Sequence, residues 1–194
     1  MSFSSLHNHT MFSLLDCVSK PKEIAKKAKK DGLYAIANTD HGSISASIQM
    51  AQACKDEGVK HIKGIEFYIC EKDDKQKDQT NRKYSHLIVL AKNIQGWKNL
   101  ISAVSYSNSP DVFYYKPRIS LEKLAEFANK QFIIISGHPG STLGNALFKD
   151  VKQAYGSQTY DCAKSFVIDN NFVEMKKLIG HYQDLFGKEN FFLE

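Results

Sequence analysis

Short apolar runs alternate with amphipathic stretches along the whole chain, the pattern of strands set between helices. Residues 33–39 and 131–136 are near-continuous apolar runs of strand length, which predicts buried strands. Residues 3–6, 59–70, 84–91 and 190–193 supply further strand candidates. The first helix is predicted from Ser19 to about Gly32, with Ser19 as cap, Pro21 in the first turn and Glu23 after it. Others follow from about Asp40 to Gly58, over 94–106, over 121–129, and over 170–186 with Gly187 as stop. The final third is patterned less clearly.

The charged segment 71–83 reads as a long hairpin loop that returns the chain antiparallel. Such a hairpin brings Glu66 near His86. A later loop holds Tyr114, Tyr115, Lys116 and Arg118. Strands alternating with helices imply βα units, in which functional groups gather at the carboxyl ends of the strands.

His7, His9, His41 and His138 all fall just after strand-like runs, so they can converge on one rim. His7 and His9, two apart, present their rings on the same face, within reach of a single ion at about 2.0–2.2 Å. With Asp16, Glu66 and His86 they make seven nitrogen or oxygen ligand candidates, enough for more than one ion but short of three saturated sites. His61 and His181 sit in no such context and read as ordinary structural residues. The mixture is not a closed, cysteine-rich zinc pattern; it suits zinc, manganese, iron or cobalt alike.

Composition narrows the class. At 194 residues the chain is long enough for one domain that buries roughly 70% of its unfolded surface. A hydrophobic fraction of 42%, a charged fraction of 24% and four prolines against eleven glycines exclude disordered and collagen-like classes. The longest apolar stretches, 87–91 and 132–135, fall far short of the ~20 residues of a membrane span, and the first residues lack a secretory pattern. A cytoplasmic location is expected. Cys17, Cys54, Cys70 and Cys162 are scattered without a paired motif, as expected of reduced thiols. The net charge of +5 is compatible with a phosphate-bearing partner but does not by itself argue for nucleic acid. The lysines of the first helix read as a solvated face.

Several blocks together resemble the PHP (polymerase and histidinol phosphatase) domain, in particular the branch found in bacterial DNA polymerase III alpha subunits. The blocks are Leu-His-Asn-His-Thr-Met-Phe-Ser-Leu-Leu-Asp-Cys at 6–17, Thr-Asp-His-Gly at 39–42 and Gly-Ile-Glu-Phe-Tyr at 64–68. The stretches 86–93 and 96–101, with Phe-Tyr-Tyr-Lys-Pro-Arg-Ile at 113–119, are similar to the polymerase branch. The resemblance implies a distorted (β/α)7 barrel of the α/β class, with up to three divalent ions at its rim. It implies metal ligation by His7, His9, Asp16, His41, Glu66, His86 and His138, with Glu66 as bridge and Asp40 orienting a ligand.

Two departures from the family pattern pull opposite ways. His138 stands where polymerase relatives usually carry cysteine, which resembles the hydrolytic members. An Asp-x-His tripeptide, the family's last motif, occurs nowhere in the 194 residues, so a single domain over 1–194, truncated before that motif, is expected. The implied activity is metal-dependent phosphodiester hydrolysis, a 3′–5′ proofreading exonuclease belonging to a DNA-polymerising transferase. DNA and the remainder of the polymerase chain or replisome are the implied partners, and no membrane. Tyr115, Lys116 and Arg118 are candidates for substrate contact by stacking and phosphate pairing, against a plainer reading as loop packing. Two other readings stand beside this one: a noncatalytic docking domain, and a free-standing phosphatase acting on a small phosphomonoester.

Overall fold

The computed structural model describes residues 3–70, 72–148 and 160–194. Its strands are β1 (Ser4–Ser5), β2 (Ala35–Asn38), β3 (Lys60–Cys70), β4 (Tyr84–Ala91), β5 (Arg118–Ser120), β6 (Phe132–Ile135) and β7 (Phe191–Phe192). The helices are α1 (Pro21–Lys30), α2 (Ser47–Glu57), α3 (Ile94–Ser107), α4 (Leu121–Ala128), α5 (Thr142–Phe148) and α6 (Tyr160–Phe186). The strands form one sheet in the order β1-β2-β3-β4-β6-β7, with β5 paired to β3. The α/β barrel expected from sequence is present as a curled sheet. Among the described residues β1 and β7 are its edges, and a trough of about 920 Å³ opens between them, lined by residues such as Phe3, Ile62, Ile133 and Phe192.

β3 is the long strand on which the sheet turns. Its first half, Lys60 to Lys63, pairs parallel with β2, and its last three residues pair parallel with β5. On its other side, Gly64 to Cys70 pairs antiparallel with β4, the hairpin expected from the pattern. Alternation along the pair sorts the side chains. Ile65, Phe67, Ile69, Leu87 and Val89 face a core with α3, α4 and α6, through Leu100, Leu124, Tyr182 and Phe186. Glu66, Tyr68 and His86 face the opposite, concave side, where Ala37, Ile88, Leu90 and Ile135 form a smaller apolar cluster below them. A separate cluster packs α1 and α2 against Ile36.

The elements depart from the sequence expectation where tertiary contacts intervene. Ser19 does not cap α1: its carbonyl accepts the Met11 N–H at 2.9 Å, and the cap falls to Lys20, whose N–H donates to Glu23. Residues 40–46 precede α2 because the Asp40 carbonyl and the Gly42 N–H bond to the Glu66 backbone, extending β2 along β3. β5 and α5 carry too few periodic residues to be read from sequence, and α6 begins at Tyr160 rather than near 170. Cys17, Cys54 and Cys70 are free thiols; the expectation for the Cys162 thiol lies outside the described residues.

The loop expected at 71–83 is folded around one buried cation. The Arg118 guanidinium donates to the Asn81 carbonyl, to the Gln76 carbonyl at 2.6 Å and to the Asp74 carbonyl at 3.2 Å. The Asp74 carboxylate, itself buried, accepts from the Tyr106 hydroxyl at 2.9 Å and from the Ser120 N–H at 3.1 Å. Arg118→Ala would take the guanidinium donor from three carbonyls and vacate the volume of a large side chain. We expect destabilisation of about 2–4 kcal/mol by urea titration, with limited proteolysis within 72–83 accelerated.

Candidate metal centre

The concave rim gathers side chains from five segments. His7 and His9 follow β1; His41 follows β2; Glu66 lies within β3; His138 follows β6. His86 joins them because β4 runs antiparallel, so its amino end reaches the same rim, opposite Tyr68.

Glu66 is the centre, a fully buried carboxylate surrounded by imidazoles. One oxygen, Oε2, lies 3.1 Å from His7 Nε2, 2.9 Å from His9 Nε2 and 3.3 Å from His41 Nδ1. The other, Oε1, lies 2.8 Å from His86 Nδ1 and 3.3 Å from His138 Nε2. Burial disfavours its charge, but hydrogen bonds from His7, His86 and His9 and the charge of His41 outweigh it and hold the carboxyl well below the usual range.

Two groups in this cluster have ligand spacing: His7, His9 and Glu66, and His41, Glu66 and His86. They share Glu66, whose Oε2 faces His7, His9 and His41 while Oε1 faces His86. The donor chemistry fits divalent transition ions. His7 Nε2 and His9 Nε2 face each other at 3.2 Å, and His41 Nδ1 is buried with no hydrogen-bond partner among the described residues. A cation between these atoms would satisfy both features.

The remaining candidates stand at the edge. Asp16, 58% exposed, reaches His41 Nε2 at 3.2 Å. His138 is 42% exposed, and its Nδ1 accepts the Gly140 N–H at 2.9 Å. That bond puts the ring proton of a neutral imidazole on Nε2, so ligation through Nε2 requires His138 to release Gly140. His61 lies apart, with Nε2 2.6 Å from the Asn38 side-chain oxygen, and burial lowers its pKa to about 4. His181 pairs with Glu122 on the surface at 3.6 Å.

Asp40 does not touch the cluster. Its buried carboxylate accepts from Thr10 N–H at 2.6 Å, from the Thr10 hydroxyl and from the Ser13 hydroxyl at 2.8 Å. Ser13 transmits this order. Its one proton goes to Asp40, so it can only accept from His9 Nδ1 at 2.8 Å and from the His41 N–H at 3.2 Å. With an ion in place of the proton between His9 and Glu66, His9 would keep its proton on Nδ1 and turn its Nε2 lone pair to that ion. Ser13 and Thr10 escaped the sequence reading because hydroxyls carry no ligand signature. Glu194 was also missed; its carboxylate lies 2.9 Å from His7 Nδ1.

The rim continues into an aromatic flank. Tyr68 lies with its ring centroid 5.7 Å from that of His41 and 5.2 Å from that of His86. Lys116 Nζ lies 5.2 Å from the Tyr68 centroid. Gly42, at φ +60°, makes room for this: a Cβ there would meet Pro117 Cγ at 2.5 Å. Tyr115 is 60% exposed and stands on the same flank, whereas Arg118, expected among the substrate contacts, is buried and turned to the loop carbonyls.

A family model for the PHP domain matches residues 5–194. The chain is 35% identical over 180 residues to a DNA polymerase III subunit alpha of Treponema pallidum (strain Nichols), covering 91% of this chain and 15% of that protein. It is 34% identical over 197 residues to the DNA polymerase III subunit alpha of Helicobacter pylori (strain ATCC 700392 / 26695), covering 100% of this chain and 15% of that protein. It therefore spans about 15% of the length of these relatives. A solved amidohydrolase of Chromobacterium violaceum superposes with a TM-score of 0.53 at 14% identity, over 98% of this chain and 75% of that one.

Two outcomes are expected. Ser13→Ala removes the acceptor that orients His9 and should weaken zinc or manganese binding roughly tenfold in a chelator competition, with the fold intact. The second concerns pH. Burial opposes protonation of His7, but its two carboxylate partners, Glu66 and Glu194, prevail and raise its pKa; burial lowers that of His41. On acidification from pH 8, protons therefore compete with an ion at His7 before they do so at His41. Stepwise dialysis down to about pH 5 with metal analysis should show two-stage loss, the first stage abolished in His7→Ala.

Proposed function

The chain belongs to the PHP domain family, and from that premise we propose that it is the metal-dependent phosphoesterase domain of a bacterial-type replicative DNA polymerase alpha subunit. The reaction is hydrolysis of the terminal phosphodiester at a DNA 3′ end, a proofreading activity serving the polymerase. Its partners on this reading are DNA and the remainder of the polymerase chain or its replisome, in the cytoplasm. The observation that carries the reading is the shared carboxylate: Glu66 offers one oxygen to His7 and His9 and the other to His86.

His7, His9, His41, Glu66 and His86 would hold the ions, with Asp16 and His138 at the margins. Divalent ions there supply hydroxide at neutral pH and neutralise charge gathering on the phosphate oxygens. The protein's part is orientation and exclusion of alternatives. Glu66 fixes the separation between the two ligand groups; its imidazole partners keep it ionised, and burial keeps solvent from competing for its oxygens. Ser13 and Asp40 set the His9 tautomer, and Glu194 does the same for His7 by facing its Nδ1. His138, with its Nε2–H at the exposed edge, is placed to donate a hydrogen bond to the departing oxygen.

A second reading, a docking domain without catalysis, draws on the marginal positions of Asp16 and His138, which leave each ligand group three protein donors. One assay separates the readings. Incubated with manganese and a 5′-labelled single strand, the chain should yield a ladder shortened from the 3′ end. His9→Ala and Glu66→Gln should each reduce the rate at least ~100-fold. Metal retained without any hydrolysis favours docking. Turnover of p-nitrophenyl phosphate with intact DNA ends favours the free-standing phosphatase.

A further inference from the structure

The flank beside the metal centre is built from alternating cations and rings. Buried Arg118 lies with its guanidinium carbon 4.9 Å from the Tyr114 centroid, and Tyr114 meets Tyr115 edge to face at 4.6 Å. Arg82 covers the Tyr115 ring at 4.7 Å. On the inner side Tyr84, 39% exposed, meets Tyr68 at 4.9 Å, beneath Lys116. The row thus runs from the outer surface through Arg82 and Tyr115, then Lys116 and Tyr68, to His41 and His86.

Tyr115 is held in this row against its own backbone preference. At φ +60° it occupies the left-handed region, which costs a bulky residue stability. It is not placed there to bury its ring. The strain is maintained by Arg118, which anchors Tyr114 on one side and, through the Asn81 carbonyl, the loop that carries Arg82 on the other. Exposed aromatic faces interleaved with guanidinium and ammonium groups match one ligand chemistry: a single-stranded nucleic acid, with flat unpaired bases and a phosphate every nucleotide.

We propose that Arg82, Tyr84, Tyr115 and Lys116 form a strand-docking ledge that leads the 3′ end of single-stranded DNA to the metal centre. Tyr115 and Tyr84 stack on bases, Arg82 and Lys116 pair with phosphates, and Arg118 is a positioning residue that touches no DNA. The assignment of the strand as DNA rests on the proposed function; the ledge itself rests on this geometry.

The test is fluorescence anisotropy of a labelled single strand of about 12 nucleotides, in chelator so that no hydrolysis occurs. Tyr115→Gly is the informative variant, because it removes the ring while relieving the left-handed backbone, so its loss of binding does not come from added backbone strain; an unchanged circular dichroism spectrum checks that the fold is kept. Tyr115→Gly and Arg82→Ala should each weaken binding roughly tenfold, and Arg82→Ala and Lys116→Ala should each lower the salt dependence by about one phosphate contact. Arg82→Lys should restore part of the affinity, since it keeps charge but loses the planar stack. Binding within twofold of wild type in both Tyr115→Gly and Arg82→Ala overturns the ledge. So does equal affinity for duplex, or tighter binding of RNA of the same length. Because these measurements need no bound ion and no turnover, a ledge that binds while the chain fails to hydrolyse DNA would count against the proposed function alone.

Discussion

Everything at the rim depends on keeping one carboxylate ionised where water does not reach it. An isolated buried charge costs several kcal/mol, and a carboxyl so placed ordinarily takes up a proton. Glu66 escapes this only because imidazole nitrogens from four other segments face its two oxygens within 3.3 Å. The requirement runs both ways. The histidines hold Glu66 in its charged form, and Glu66 is the common partner that draws segments far apart in sequence onto one spot. A cation between them strengthens the same arrangement.

The sheet topology meets that requirement. An all-parallel sheet would place His86 at the far end of its strand from the other histidines. Reversing β4 brings it back to the rim, directly across from β3. Extending β2 past Asn38, so that the Asp40 carbonyl and Gly42 N–H bond the Glu66 backbone, does the same for His41. In each case a backbone ladder, not side-chain chance, fixes where the ring stands. The outward faces of β3 and β4 can then be largely apolar, and their packing on α3, α4 and α6 makes the rim rigid.

The residues that gather at the rim and most of the elements were legible in the sequence, for identifiable reasons. His7, His9 and His41 follow apolar runs, and the Glu66 and His86 pairing follows from a hairpin signal on either side of a charged segment. What periodicity could not show is anything set by long-range hydrogen bonds. β5 is three residues long and exists because Tyr68 to Cys70 offers it an edge. The role of Ser13 depends on Asp40, 27 positions away, already taking its proton. Arg118 reads from sequence as a basic residue beside tyrosines and so as a phosphate contact, yet it is the carbonyls of a folded loop that claim its guanidinium.

On the proposed function, that reassignment bears on how a phosphodiester approaches. Glu66, Asp16 and Glu194 give the cluster three carboxylates, and imidazoles that serve as ligands are neutral. Before any cation is counted, the rim repels phosphate. The net charge of +5 does not answer this, because a charge remote from the rim is screened over about 8–10 Å. Attraction has to come from fixed cations held close by, and Arg82 and Lys116 contact Tyr115 and Tyr68, with no acidic partner among the described residues. A cation resting on a ring keeps its charge available to a passing anion, whereas one in a salt bridge has already been neutralised. Arg118 serves the same end by remaining buried: fixing the loop and the tyrosines in place gives the two exposed cations a definite position beside the rim, which an unanchored loop of this length would not.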